Sequence, residues 1–165
     1  MRGISIGANQ SFEQSVGLFV DGVHLPKGRQ FRTGLFDVER VEVLRGPQGT
    51  LFGKNTLTGA INVISAKPVI GADDISGRVS IAASDEDSGT ENEGHLNIPL
   101  SDSFAVRLAF QDRDNDGLLT NLYNNSTGPT ADETMLRLSA SYQPNDDLRI
   151  DFKHTDGDHV RTGST

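Results

Sequence analysis

Three sets of residues have types and spacings that could do chemistry. Asp112, Asp114 and Asp116, followed by Gly117, repeat the opening of a calcium loop, where carboxylates at positions 1, 3 and 5 wrap the ion and a glycine at 6 makes the sharp turn. The twelfth position of such a loop supplies a bidentate glutamate, but here it is Tyr123, and the flanks alternate like strands. A solvated acidic loop therefore competes with calcium binding at these aspartates. The run GTLFGKN over residues 49–55 brings a phosphate-binding loop to mind, which needs four residues between its glycines and Ser or Thr after its lysine. Here three residues separate Gly49 from Gly53, and Asn55 follows Lys54, so the glycines read as tight-turn positions. His24, His95, His154 and His159 share no ligand spacing, and no Ser, His and acid set suggests a nucleophile. No catalytic residue, metal site or cofactor is expected, and the chain does not read as an enzyme.

The elements that must position these residues begin with residues 36–65, FDVERVEVLRGPQGTLFGKNTLTGAINVIS. Two strand-like runs, 40–45 and 60–65, are joined by a connection carrying Gly46, Pro47, Gly49, Gly53 and Gly59. In the first run Val41 and Val43 fall on one face and Arg40, Glu42 and Leu44 on the other, which predicts a half-buried strand. Upstream, residues 16–20 read as a strand, Asp21-Gly22 as a two-residue hairpin turn and residues 23–25 as the returning strand. Residues 26–34 (PKGRQFRTG) form a basic loop, residues 35–39 are predicted as a helical turn, and residues 66–77 read as a linker.

From Arg78 onward five runs alternate apolar and polar residues. Val79, Ile81 and Ala83 share a face, as do Leu96, Ile98 and Leu100, and then Phe104, Val106, Leu108 and Phe110. The last two runs align Leu136, Leu138, Ala140 and Tyr142, then Leu148, Ile150 and Phe152, against polar faces carrying Arg107, Arg137, Arg149, Asp151 and Lys153. Short connections, 101–103 and 143–147, alternate with longer acidic ones, 84–93 and 112–132, as in an outer-membrane barrel with short periplasmic turns. A soluble antiparallel sandwich alternates in the same way, with its apolar faces turned toward a protein core.

Composition narrows the choice. Hydrophobic residues make up 35% of the 165, and no run approaches the roughly 20 apolar residues of a membrane helix. A β-barrel needs an apolar residue only at every second position and stays open. The absence of cysteine rules out a disulfide scaffold and a thiolate metal site. Residues 1–70 hold eight Lys and Arg against five Asp and Glu, whereas residues 71–165 hold seven against eighteen, which divides the chain near residue 70. The basic residues are too few and too scattered for a nucleic-acid footprint. Met1-Arg2-Gly3-Ile4 leads into a polar segment without the apolar core of a signal peptide, so the chain is expected to be cytoplasmic or an internal piece of a longer precursor.

The wording ERVEVLRGPQGTLFGKNTLTGAINVIS, with VGLFVDGV before it, resembles the plug domain of TonB-dependent outer-membrane receptors. Lys54 and Thr58 stand where Arg and Gly are frequent in that family, and no turn glycine is lost. The resemblance implies a mixed α+β plug, truncated at its N-terminus, over residues 1–70, a linker over 71–77 and about the first five strands of an incomplete transmembrane β-barrel over 78–165. Such a barrel closes with about 22 strands. The whole protein would sit in the outer membrane of a Gram-negative bacterium, in contact with its lipid. It would import a scarce solute, a ferric siderophore or otherwise cobalamin or a glycan, powered by the TonB energy-coupling complex through a segment upstream of this chain. Ligand-facing plug loops would carry Arg2, Pro26, Lys27, Arg29, Arg32, Leu51, Phe52 and Gly53, where cations and an aromatic suit an anionic chelate. Arg45, with Glu42, would meet the barrel wall, and Gly46, Pro47, Gly49 and Gly59 would make the plug turns. The alternatives are a soluble, calcium-assisted β-sandwich binding module and an assembly-type channel component that transports no ligand.

Overall fold

A computed structural model describes residues 16–27, 35–47, 49, 56, 59–85, 88–123 and 125–163. The chain divides into two compact units, Met1–Ala66 and Lys67–Thr165.

The first unit contains β1 (Gly17–Val20), β2 (Val23–His24), β3 (Val38–Arg45) and β4 (Gly59–Ser65), in the order β2-β1-β4-β3. β1 pairs in parallel with β4, and the other neighbours are antiparallel. The hairpin between β1 and β2 forms because Asp21 and Gly22 both take positive φ, +49° and +79°, the type I′ geometry that matches strand twist. Asp and Gly are residues that tolerate this conformation, so the sequence dictates the turn. The centre of the sheet buries both its faces: Leu18 and Phe19 are adjacent in β1, and Ala60 and Val63 lie in β4. A near-continuous apolar run such as β4's Ala-Ile-Asn-Val-Ile is what a two-sided central strand requires.

Asp21 also ties the two ends of this sheet together. Its amide donates to the Val63 carbonyl at 2.9 Å, while its carboxylate accepts from the Ser65 amide at 2.8 Å and the Ser65 hydroxyl at 2.7 Å. Bonds to an ionised acceptor are the stronger kind. One acidic side chain in a turn thus fixes where β4 ends.

Two expectations fail in this unit. Residues 35–37 make no helical turn, and β3 already begins at Val38, where pairing with Ser65 outweighs the local preference. Val41 and Val43 are each 52% exposed rather than turned into a core, because among the described residues β3 is an edge strand paired with β4.

The second unit is a meander of β5 (Ser76–Ser84), β6 (Gly89–Ser101), β7 (Phe104–Asn115), β10 (Ala131–Asn145) and β11 (Leu148–Arg161), each antiparallel to the next. A small hairpin, β8 (Leu119–Thr120) with β9 (Thr127–Gly128), sits in the connection between β7 and β10. All five expected strands are present and mostly longer than their alternating cores, nine to fifteen residues against the roughly 9–11 of a tilted membrane strand. Consequently the expected long loop at 84–93 contracts to 85–88, while 116–130 remains long. β7 runs through to Asn115, so Asp112 and Asp114 lie in extended strand. Asp112 accepts there from the Thr134 hydroxyl at 3.1 Å, and its extended backbone differs from the turn of a calcium loop.

Register gathers like residues into rows, although on β11 His154 and Asp156 stand opposite Leu138 and Leu136 on the apolar face. Ile98, Val106, Ala140 and Phe152 stand in one cross-strand row, and Leu96, Leu108 and Leu138 in the next. Below them Phe104 meets Tyr142 edge to face, with ring centroids 6.3 Å apart. The opposite face aligns Asn97, Arg107, Ser139 and Lys153. A slip of one residue would exchange the two faces, so the alternation itself fixes the pairing.

Candidate functional site

The burial of the second sheet is inverted relative to that of a soluble protein. Leu136, Leu138, Ile150 and Phe152 are 53%, 41%, 53% and 57% exposed, while Asn97, Arg107, Gln111, Glu133, Arg137, Ser139 and Ser141 are buried. Large apolar side chains left exposed in rows mark a surface made for an apolar environment. The polar face is then the working wall.

Three polar groupings organise that wall. Near the short turns Asp151 accepts from Lys67 Nζ at 2.7 Å, Ser141 Oγ at 2.6 Å and Arg149 Nε at 3.0 Å. At the far end Glu133, 1% exposed, accepts from His159 Nδ1 at 2.8 Å and from Arg161, both brought from β11. Beside it Glu91 accepts from Arg113 and from Gln111 Nε2 at 3.2 Å. Buried charge persists only where it is paired, since an uncompensated buried ion is strongly destabilising. Between these ends Arg137 Nε donates to Thr155 Oγ1 at 3.1 Å.

The connector is part of the wall. Lys67 bonds Asp151 on β11, and two residues later the Val69 amide donates to Asn97 Oδ1 on β6 at 2.8 Å, with Asn97 Nδ2 returning a bond to the Val69 carbonyl at 3.3 Å. Residues 67–69 are therefore strapped across the polar face. Sequence reading treats this segment as a plain linker and misses Lys67, Asn97, Asp21 and Ser65. The available signal is Asn97, an amide that interrupts Leu96 and Ile98 on the face where charges otherwise stand.

In the first unit Glu42 accepts from Arg40 Nε at 2.9 Å and from Asn62 Nδ2 at 3.1 Å. The hydrogen bond from Arg40, then that from Asn62, holds its carboxyl below the usual range, and the bond to Glu42 raises the Arg40 guanidinium in turn. Arg45 ends β3 opposite Gly59 and is exposed. Gly46 follows with φ +93° and Gly59 has φ +147°, conformations that disfavour a side chain, so both expected turn glycines are required where they stand. Pro47 and Gly49 are exposed, and Gly49 has helical backbone. Pro26 is half-buried and Lys27 exposed at the start of the expected ligand loop. Arg2, Arg29, Arg32, Leu51, Phe52 and Gly53 lie outside the described residues.

Residues 1–60 match the family described as TonB-dependent Receptor Plug Domain. The pesticin receptor of Yersinia enterocolitica is 43% identical over 68 residues, 41% of this chain and 10% of that protein. The catecholate siderophore receptor Fiu of Escherichia coli is 34% identical over 96 residues, 58% of this chain and 12% of Fiu. Among solved structures, the ferric yersiniabactin uptake receptor FyuA from Yersinia pestis superposes with a TM-score of 0.80 at 26% identity, covering 95% of this chain and 24% of FyuA. The chain spans about a tenth of the length of these curated relatives and about a quarter of the solved neighbour.

Proposed function

We propose that the chain belongs to the TonB-dependent receptors, whose plug family residues 1–60 match, and that its 165 residues supply most of the plug and the first five barrel strands of an energy-coupled importer in the outer membrane of a Gram-negative bacterium. Residues 1–70 are assigned to the plug, 71–77 to the linker and 78–165 to the barrel. The single observation that carries this reading is the inverted sheet, apolar outward and polar inward, which a lipid-embedded wall around a wet lumen requires. A soluble sandwich would turn Leu136, Leu138, Ile150 and Phe152 into a protein core, and these side chains are exposed.

The solute is proposed to be a ferric siderophore, by analogy with Fiu and FyuA, whose names state catecholate siderophores and ferric yersiniabactin. Lys27, with Arg2, Arg29 and Arg32, would attract the anionic chelate, and Phe52 would stack on it. Arg45 and Glu42 would meet carboxylates and cations of the barrel wall. Arg107, Arg137, Arg149 and Lys153 would line the passage opened when the TonB complex pulls on the plug. The process is binding and gated passage, with no covalent step.

The test is uptake of radiolabelled iron by iron-starved cells whose only siderophore receptor is the one carrying this chain. The proposal predicts accumulation of a ferric siderophore that stops when the inner-membrane energy complex is deleted. Uptake that persists without that complex would overturn the mechanism, and uptake of labelled cobalamin or a glycan in place of iron would overturn the solute class.

A further inference from the structure

The outward face of the second sheet is not uniformly knobbed. Gly77 and Gly94 occupy two of its outward positions, in the rows of Leu96 and of Val79 with Phe110. A Cβ on Gly94 would come within 2.6 Å of Phe110 Cε1, so the Phe110 ring leans over the space that this glycine leaves. A Cβ on Gly77 would come within 2.7 Å of the His95 carbonyl and 3.1 Å of Leu96 Cδ1, and beside it runs a groove of about 460 Å³ lined chiefly by Gly77, Val79, Leu96, Leu108, Phe110 and Leu136. Its rim is exposed, with Val79 at 68%.

We propose that this groove is the seat of one lipid acyl chain, held longer than the lipids that pass over the rest of the band. This rests on the barrel reading above. The groove opens on the apolar face and continues the rows of Ile98, Val106, Ala140 and Phe152, so its occupant comes from the same apolar phase that covers that band. Its walls are mostly apolar, with Arg78 and His95 also bordering it, and come from four adjacent strands, β5, β6, β7 and β10. A furrow of that kind offers a flexible chain contact on its sides as well as its floor, whereas a convex stretch of the band offers contact on one side only. Lipid is favoured over a second copy of the chain because a groove takes a narrow flexible chain without a matching ridge.

The experiment uses the whole receptor carrying this chain, reconstituted in phosphatidylethanolamine vesicles, extracted into detergent and weighed with its retained lipid by native mass spectrometry. Val79→Trp and, independently, Leu136→Trp fill the groove from exposed positions; Ile150→Trp adds the same bulk elsewhere on the band. The proposal predicts one firmly retained lipid in the wild type and in Ile150→Trp, and about a tenfold loss of that species in both groove variants. Equal retention in all four proteins would overturn it, as would cross-linking between copies through Leu136→Cys. Bimane attached at Leu136→Cys and at Ile150→Cys, read against vesicles with brominated acyl chains, separates the two levels. Quenching at both positions together with equal lipid retention removes the seat alone, whereas no quenching at either removes the membrane reading beneath it.

Discussion

The two sheets of this chain resolve opposite problems, the first with central strands apolar on both faces and the second with strands that alternate. The sheet of the first unit buries Leu18, Phe19, Ala60 and Val63 and leaves edge residues such as Glu39 and Arg40 in the open. The sheet of the second unit buries Arg107, Glu133 and Arg137 and leaves Leu136, Ile150 and Phe152 open. Hydrophobic burial orders the first because its surroundings are aqueous. On the proposed barrel reading the second can be inverted, because hydrocarbon would remove the penalty for exposing apolar side chains, while every backbone group must find its partner in a neighbouring strand. The lesson is that alternation gives the register, and the solvent decides which face is inside.

That contrast can be broken most strongly in the first sheet. Phe19→Ala opens a cavity in a two-sided core and is expected to cost about 3–5 kcal/mol. Hydrogen exchange at the amides of β4 would report it, with protection lost there and retained in β7 and β10. Next, Leu138→Arg places a cation on the outward face and should cost about 2–4 kcal/mol at mid-membrane depth. The same exposed position in a soluble sheet would change stability by no more than about 0.5 kcal/mol, so urea titration of the receptor folded in vesicles distinguishes the two surroundings.

Smaller effects sharpen the account of the first sheet. Asp21→Asn keeps a residue that tolerates positive φ but removes the charge from the bonds to Ser65, for an expected loss of about 1–2 kcal/mol. The loss should appear first in exchange of the Ser65 and Val63 region. The smallest is the titration of Glu42, whose carboxyl is held below its ordinary 4.5 by the bonds from Arg40 and Asn62. A depressed folded value means that this contribution is fully present above pH 4.5 and fades as pH falls through the lowered value. Glu42→Gln should therefore lower stability slightly at neutral pH and converge with the wild type as pH falls through the lowered value, which flattens the acid limb of the stability profile.

Much of this architecture is legible in the chain. The alternation of Leu136, Leu138, Ala140 and Tyr142 predicts β10 and its apolar face, and Asp21-Gly22 predicts the hairpin, because both depend on local periodicity or turn chemistry. The strand ends are not legible: residues 111–115 and 153–161 lose the apolar alternation yet continue as strand, since their pairing is carried by backbone bonds and by polar rows such as Glu91, Arg113, Glu133 and His159. The aspartates that resemble a calcium loop belong to this continuation. Edge position is equally invisible from Val41 and Val43, because a strand's pattern does not say how many neighbours it has. The strap of Lys67 and Val69 onto Asp151 and Asn97 joins residues up to 84 apart in sequence, beyond any local signal. The glycine-rich run from Gly46 to Gly59 carries the family resemblance, and its flanking glycines take the conformations that only glycine adopts with ease.

The central claim is that the outward apolar face of the second sheet lies in lipid. These 165 residues hold no cysteine, and with any cysteine elsewhere in the whole receptor replaced, single cysteines can be placed in turn along residues 136–142 of the receptor in vesicles. Each is labelled with a fluorophore and challenged with a lipid-borne and a water-borne quencher. The account predicts a period of two, with Leu136, Leu138, Ala140 and Tyr142 positions quenched from the lipid and Arg137, Ser139 and Ser141 positions shielded from it. Shielding of the even positions from both quenchers, as in a protein core, would contradict it.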